Sequence, residues 1–204
     1  MAKAFSYVVS RDYGFAPNPF YEVLTLATCK PKIRKMASVE DFIIGNAGVA
    51  HGRKLIYMAR VSEVMTFDQY WKDPRFERKK PAMNGSLKTK YGDNVYHHGK
   101  DGEWIQEDSH HSNDDGSVNT SNLKHDTETT DRILVCKEFV YLGRSMIDFP
   151  DEFACCVCKN RGHHRVVYED AQKLWNFLKV QYPTGGKIDQ PNKFDKFKRY
   201  DGKS

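Results

Sequence analysis

Lys54-Leu-Ile-Tyr-Met-Ala-Arg-Val-Ser-Glu-Val-Met65 is the stretch that decides the fold class. In an extended chain Leu55, Tyr57, Ala59, Val61 and Glu63 fall on one face, and Ile56, Met58, Arg60 and Ser62 on the other. That period predicts a strand. Thr66 follows as the cap of a short helix, Phe67-Asp-Gln-Tyr-Trp-Lys72, with Pro74 just beyond it. Towards the N-terminus, residues 41–46 read as a short buried strand, 4–10 as a first strand, and 21–29 as a second that Pro31 ends. Between them Pro17, Pro19, Gly14 and Asn18 exclude regular structure and give a rigid loop. Towards the C-terminus, residues 132–142 return as a strand. Residues 168–182 read as the one long helix: Ala171, Leu174, Trp175, Leu178 and Tyr182 recur at helical spacing, and Glu169 and Asp170 suit the dipole of the first turn. The expectation is an α+β domain with a small mixed sheet, few helices and one long C-terminal helix.

The 204 residues accommodate one domain, and 39% hydrophobic with 29% charged residues is a globular composition. With 12 Phe, 11 Tyr and 3 Trp, much of the core must be aromatic. The organisation expected is a single domain over 1–183, a long polar insertion near 77–130, and a basic tail over 184–204. The insertion holds two short β-like pieces, near 94–98 and 103–106. The tail reads as a solvated extension or a docking segment. No apolar run is long enough for a membrane helix, and no secretory-type stretch stands at the start, so the cytoplasm is expected. Three of five cysteines crowd at Cys155, Cys156 and Cys158, which suits reduced thiols better than a disulfide framework. Cys155, Cys158 and His163 begin like a zinc knuckle, but Tyr168 stands where the fourth ligand would, and no metal is assigned. The net charge of +5 permits an anionic partner without requiring one.

The residues that suggest chemistry lie mostly in the polar stretch. Ser109-His110-His111-Ser112, followed by Asp114 and Asp115, is the densest cluster. An imidazole exchanges protons near neutral pH, and a carboxylate beside it can orient it. His110, His111 and Asp93 are the candidate acid–base residues, with Asp114 as a further orienting group. A solvated loop of hydrogen-bonding residues is the competing reading. Gly92-Asp93-Asn94 and Tyr96-His97-His98 form a second cluster, which could also be no more than a tight turn. Lys30 and Arg34, with Arg75 and Lys80, are candidate phosphate contacts. Trp71 and Trp104 are candidate stacking platforms for a base. Asn94, His97 and Ser109 complete the candidate ligand-binding set. Arg161, His163, His164 and Arg165 form one more basic group. P-loop, dinucleotide-binding and nucleophile-elbow motifs are missing from the sequence.

One combined string is more specific than its parts. Asp12-Tyr-Gly-Phe-Ala-Pro-Asn-Pro-Phe20 is followed by Thr25-Leu-Ala-Thr-Cys-Lys-Pro31, Tyr70-Trp71, Asp73-Pro-Arg-Phe76, Lys80-Pro81, Gly85-Ser86, Gly92-Asp-Asn94, Tyr96-His97 and Ser109-His-His-Ser112. This string resembles the second type of nucleotide modification associated domain, from about residue 5 to residue 145. The resemblance implies a nucleotide or DNA partner in DNA base modification or phage–host conflict, without a settled reaction or cofactor. The order of strands is also similar to PUA-like barrels, although Glu40-Asp41 replaces the usual Gly-Asp. Three functions follow as expectations: a nucleotide- or DNA-base-recognising domain, an enzyme using His/Asp acid–base chemistry on that ligand, and a protein-interaction module using the aromatic surface and tail.

Overall fold

The quoted stretch is extended over its whole length, but it is two strands. A computed structural model describes residues 2–200 and places Leu55–Arg60 in one sheet and Glu63–Met65 in another. The break lies at Val61 and Ser62, whose backbone N–H groups donate to Asp41 and Val135 respectively, so each residue bonds a different layer. The same thing happens at 132–142, where Ile133–Cys136 and Glu138–Tyr141 divide between the two sheets at Lys137. Period-two alternation reports extended backbone, not which neighbour the strand takes.

In chain order the strands are β1 (Ala4–Val9), β2 (Leu24–Leu26), β3 (Phe42–Ala47), β4 (Leu55–Arg60), β5 (Glu63–Met65), β6 (Tyr96–His98), β7 (Trp104–Gln106), β8 (Ile133–Cys136), β9 (Glu138–Tyr141), β10 (His163–Val166) and β11 (Gly186–Lys187). The helices are α1 (Pro31–Met36), α2 (Phe67–Lys72), α3 (Leu87–Lys90), α4 (Thr120–Thr127) and α5 (Tyr168–Gln181). A six-stranded sheet runs β10-β1-β3-β4-β9-β11, a three-stranded sheet runs β2-β8-β5, and β6 with β7 forms a hairpin. The architecture is therefore mixed α/β with several sheets and few helices. Among the described residues the sheets do not close into a barrel, and no helix is long and apolar enough to cross a membrane.

The large sheet is covered on both faces. On one, Phe42, Ile44, Met58 and Val140 meet α5 through Leu174, Trp175 and Leu178. On the other, Phe5, Tyr7, Ile43 and Tyr57 meet Leu24, Leu26, Ile33 and Leu134 of the second layer. Gly45 is required there, because a Cβ at this position would lie 2.2 Å from the Tyr57 ring. A third core gathers Phe67, Tyr70, Tyr91, Tyr96 and Ile133. The polar stretch from 77 to 130 supplies part of that core, with α3, the hairpin and α4 inside it. The tail is not a solvated extension over its described residues. Lys193 and Asn192 donate backbone N–H groups to the Asp12 backbone and side chain, and Phe194 packs on Phe20.

Candidate functional site

A cleft of about 380 Å³ opens where β1 ends, where α1 begins and where the 109–112 turn comes past them. Tyr7, Tyr13 and Phe15 form an aromatic side; His110 and His111 pack against Tyr13 and Phe15, and Lys30 Nζ lies 4.9 Å from the Tyr7 ring centroid. His163 of β10, His125 of α4 and Tyr200 of the tail complete the rim.

The two adjacent histidines are buried and held in opposite ways. His110 lies among the rings of Tyr13, Phe15 and Tyr91, at 4.9–5.3 Å between centroids. Its Nδ1 donates to the Lys198 carbonyl, which leaves Nε2 unprotonated. Burial and the neighbouring His111 charge lower its pKa from 6.5 to about 3, so it is neutral. His111 Nδ1 is 2.9 Å from Asp126 Oδ2, and its Nε2 is 3.8 Å from Cys29 Sγ. Burial works against its charge. The Asp126 carboxylate outweighs that effect, helped by Cys29, and raises the pKa to about 10. Ser109 sets the turn, its Oγ accepting from the His111 N–H and its own N–H donating to Ser112 Oγ.

Asp126 is fully buried and well supplied with donors. It accepts from the Cys29 N–H at 2.7 Å and from Tyr96 OH at 3.0 Å, and Arg34 Nη2 stands 4.0 Å from its Oδ1. Burial alone would raise its pKa; His111 and Arg34 overcome that and hold it below the usual carboxylate value. Arg34, expected at phosphate, is instead completely buried and committed to backbone carbonyls: Nε to Cys29, Nη1 to Arg132 and Nη2 to Asp126. Five donors in a fixed fork suit that bridging task.

Lys30, His110 and His111 thus share one cleft, with Ser109 behind them. The other expected residues lie elsewhere. Asp93 is buried, accepting from Thr25 Oγ1 at 2.6 Å and Tyr70 OH at 2.9 Å. Beside it the Lys79 ammonium donates to Asn18, Val23 and Thr25. Burial lowers Lys79 to about 8 and raises Asp93 above the usual carboxylate value. This is a core crosslink, so Asp93 does not orient a cleft histidine. Asn94 is also buried and donates to the Tyr70 carbonyl. Trp71 is already covered, by the His97 ring at 4.1 Å and Lys80 Nζ at 4.1 Å. His97 bonds Glu107, and Lys80 pairs with Glu77. Arg75 is engaged by Glu63 and Asp73. Trp104 packs on His98 and Phe67. The exposed Asp114 is likewise not the partner of His111.

Sequence reading missed Cys29, Asp126, Tyr200 and the role of the tail. Cys29 stood in plain view inside Thr25-Leu-Ala-Thr-Cys-Lys-Pro31, but its link to His111 spans 82 residues. Among the described residues no cluster of His, Cys, Asp and Glu is arranged to hold a metal ion.

The sequence model of nucleotide modification associated domain 2 matches residues 1–198. The chain belongs to that family. The match takes in the cleft from β1 to the Lys198 carbonyl that holds His110, and stops two residues short of Tyr200 on the rim. No curated protein and no solved structure matches this member of the nucleotide modification associated domain 2 family.

Proposed function

We propose that the cleft binds a nucleotide or an exposed DNA base in DNA base modification or phage–host conflict, and that His111 acts on it as an acid–base group oriented by Asp126. The observation that carries this reading is the meeting in one cleft of Lys30, a charged His111, a neutral His110 and the aromatic side of Tyr7, Tyr13 and Phe15. The volume is in the range of small-molecule sites, roughly 300–1,000 Å³. Flat rings suit a base, and the mouth is positive. Lys30 and Lys32 line the cleft with His163, whose pKa burial and these cations lower. Family membership supports a nucleotide context. The acid–base reading is favoured over recognition alone because the buried Asp126 holds the cleft-lining His111 charged, which simple binding does not need.

The test is calorimetric titration of nucleoside monophosphates and single-stranded oligonucleotides bearing modified bases, at low salt. Binding is expected, with Lys30→Ala weakening it roughly tenfold, the scale of one charge-assisted hydrogen bond. Trp71→Ala and Lys80→Ala should leave it unchanged. No binding to any of these ligands, or equal loss from the Trp71 and Lys80 variants, would sink the assignment.

A further inference from the structure

The turn after β2 carries a thiol that the proposal above does not use. Cys29 and Lys30 are consecutive non-glycine residues with φ of 56° and 41°, a conformation costing about 1–2 kcal/mol per residue. The surroundings enforce it. Asp126 takes the Cys29 N–H, Arg34 takes the Cys29 carbonyl, and the Lys30 carbonyl accepts from Ile33 and Arg34 at the start of α1. The result aims Cys29 Sγ at the cleft and at His111 Nε2, while His111 Nδ1 meets Asp126. Nucleophile, imidazole and orienting carboxylate therefore stand in series, with Cys29 half-buried in the lining of the cleft.

The other thiols lack this setting. Burial pushes Cys136 and Cys156 up to about 12, which makes them inert. Cys158 donates to the Asn160 carbonyl, and the exposed Cys155 faces the Asp170 carboxylate. Neither sulfur is placed against an imidazole–carboxylate pair, as Cys29 is.

The geometry points to Cys29 as the nucleophile of an acyl transfer, with His111 as its proton carrier and Asp126 as the positioning carboxylate, acting on an amide or ester borne by the ligand of this cleft. Only the nucleotide nature of that ligand rests on the function proposed above. The attacking form is the ion pair in which the thiol proton has moved to His111 Nε2, 3.8 Å from the sulfur. The sulfur attacks the carbonyl carbon, forming a C–S bond. The C–N or C–O bond breaks as the imidazolium gives its Nε2 proton to the departing amine or alcohol. Water then attacks the thioester, returning a proton to His111 and releasing a carboxylic acid. The thiolate–imidazolium pair is restored, nothing is oxidised or reduced, and water is the co-reactant. An imidazolium fixed at the sulfur suits such a reaction, whose leaving group needs a proton.

The test is site-resolved mass spectrometry of the full chain near neutral pH. Iodoacetamide is expected to alkylate Cys29 about tenfold or more faster than the exposed Cys155. His111→Gln and Asp126→Asn should bring the Cys29 rate down to that of Cys155, with folding checked by circular dichroism. p-Nitrophenyl acetate should give a burst of nitrophenolate and an acetyl group on the Cys29 peptide. The comparison of two cysteines within the unmodified protein holds whether or not either variant folds. Cys29 alkylation no faster than Cys155, or fast alkylation with no acetyl adduct, overturns the inference. Nucleotide titration on the same sample separates the two proposals. Binding with an inert Cys29 defeats only the nucleophile, and a reactive Cys29 without binding defeats only the nucleotide reading.

Discussion

His110 and His111 are neighbours in sequence with opposite electrostatic fates, and this dictates a pH signature. His111 is raised from 6.5 to about 10, so its contribution to stability is complete below pH 6.5 and is lost as pH rises through 10. His110 is lowered from 6.5 to about 3. The unfolded chain takes up this proton first, so stability falls as pH drops from 6.5 towards 3. Each slope is at most about 1.4 kcal/mol per pH unit for one proton. Urea unfolding at acid, near-neutral and alkaline pH should show His111→Gln removing the alkaline slope and His110→Gln the acid one. Identical slopes in wild type and variants would count against both assignments. Arg34 supplies a second prediction at this scale. Arg34→Met leaves the Asp126 carboxylate and three carbonyls short of donors, and should cost about 3–5 kcal/mol in urea unfolding. A loss below about 1 kcal/mol would mean that water replaces the guanidinium easily. The sequence showed Arg34 as one cation in a basic cluster. Burial distinguishes it from Lys30, and burial comes from α1 folding against α4, which no local pattern announces.

At the scale of elements, the sequence was informative wherever one segment completes its own pattern. The helix α2 has its capping box, Thr66 Oγ1 accepting from the Gln69 N–H and the Gln69 side chain accepting from the Thr66 N–H. The helix α5 is where the spacing of Leu174 and Leu178 put it. Reading failed where partners are distant. Residues 54–65 and 132–142 each divide between sheets because Val61 and Lys137 stand at corners that only the paired layers define. The helix α4 was invisible because it is polar nearly throughout, and the residues it buries, Asn122, Asp126 and Thr127, are polar too. Two predictions belong here. Gly45→Ala drives a methyl group into Tyr57 between β3 and β4, and should destabilise by about 1–3 kcal/mol. Truncation after Gln190 removes the Asp12 and His110 contacts of the tail. Amide exchange across 109–111 should then accelerate, and the His110 pKa should climb towards 6.5. Unchanged exchange there would show that the tail does not hold the turn.

Across the whole molecule, the cleft is assembled from both ends of the chain. Tyr7, Cys29, His111, Asp126, His163 and Tyr200 come from six separate stretches, so no contiguous motif encodes the site. Half of it was legible: Lys30, His110 and His111 stand out by residue type alone. The other half required knowing that β2 delivers Cys29 under α4, and that Asp93 turns inward to Lys79. The covered aromatic face at Trp71, His97 and Lys80 is a separate surface, engaged in its own stacking and ion pairs. The central claim is that one folded cleft keeps a charged His111 and a neutral His110 side by side and presents both to a nucleotide. Nitrogen-detected NMR of the histidine rings, followed from pH 4 to pH 9 with and without nucleoside monophosphate, tests it most directly. One ring should stay protonated above pH 8, another should stay neutral below pH 5, and both should shift on adding nucleotide. Two rings titrating near 6.5 and indifferent to nucleotide would contradict the account.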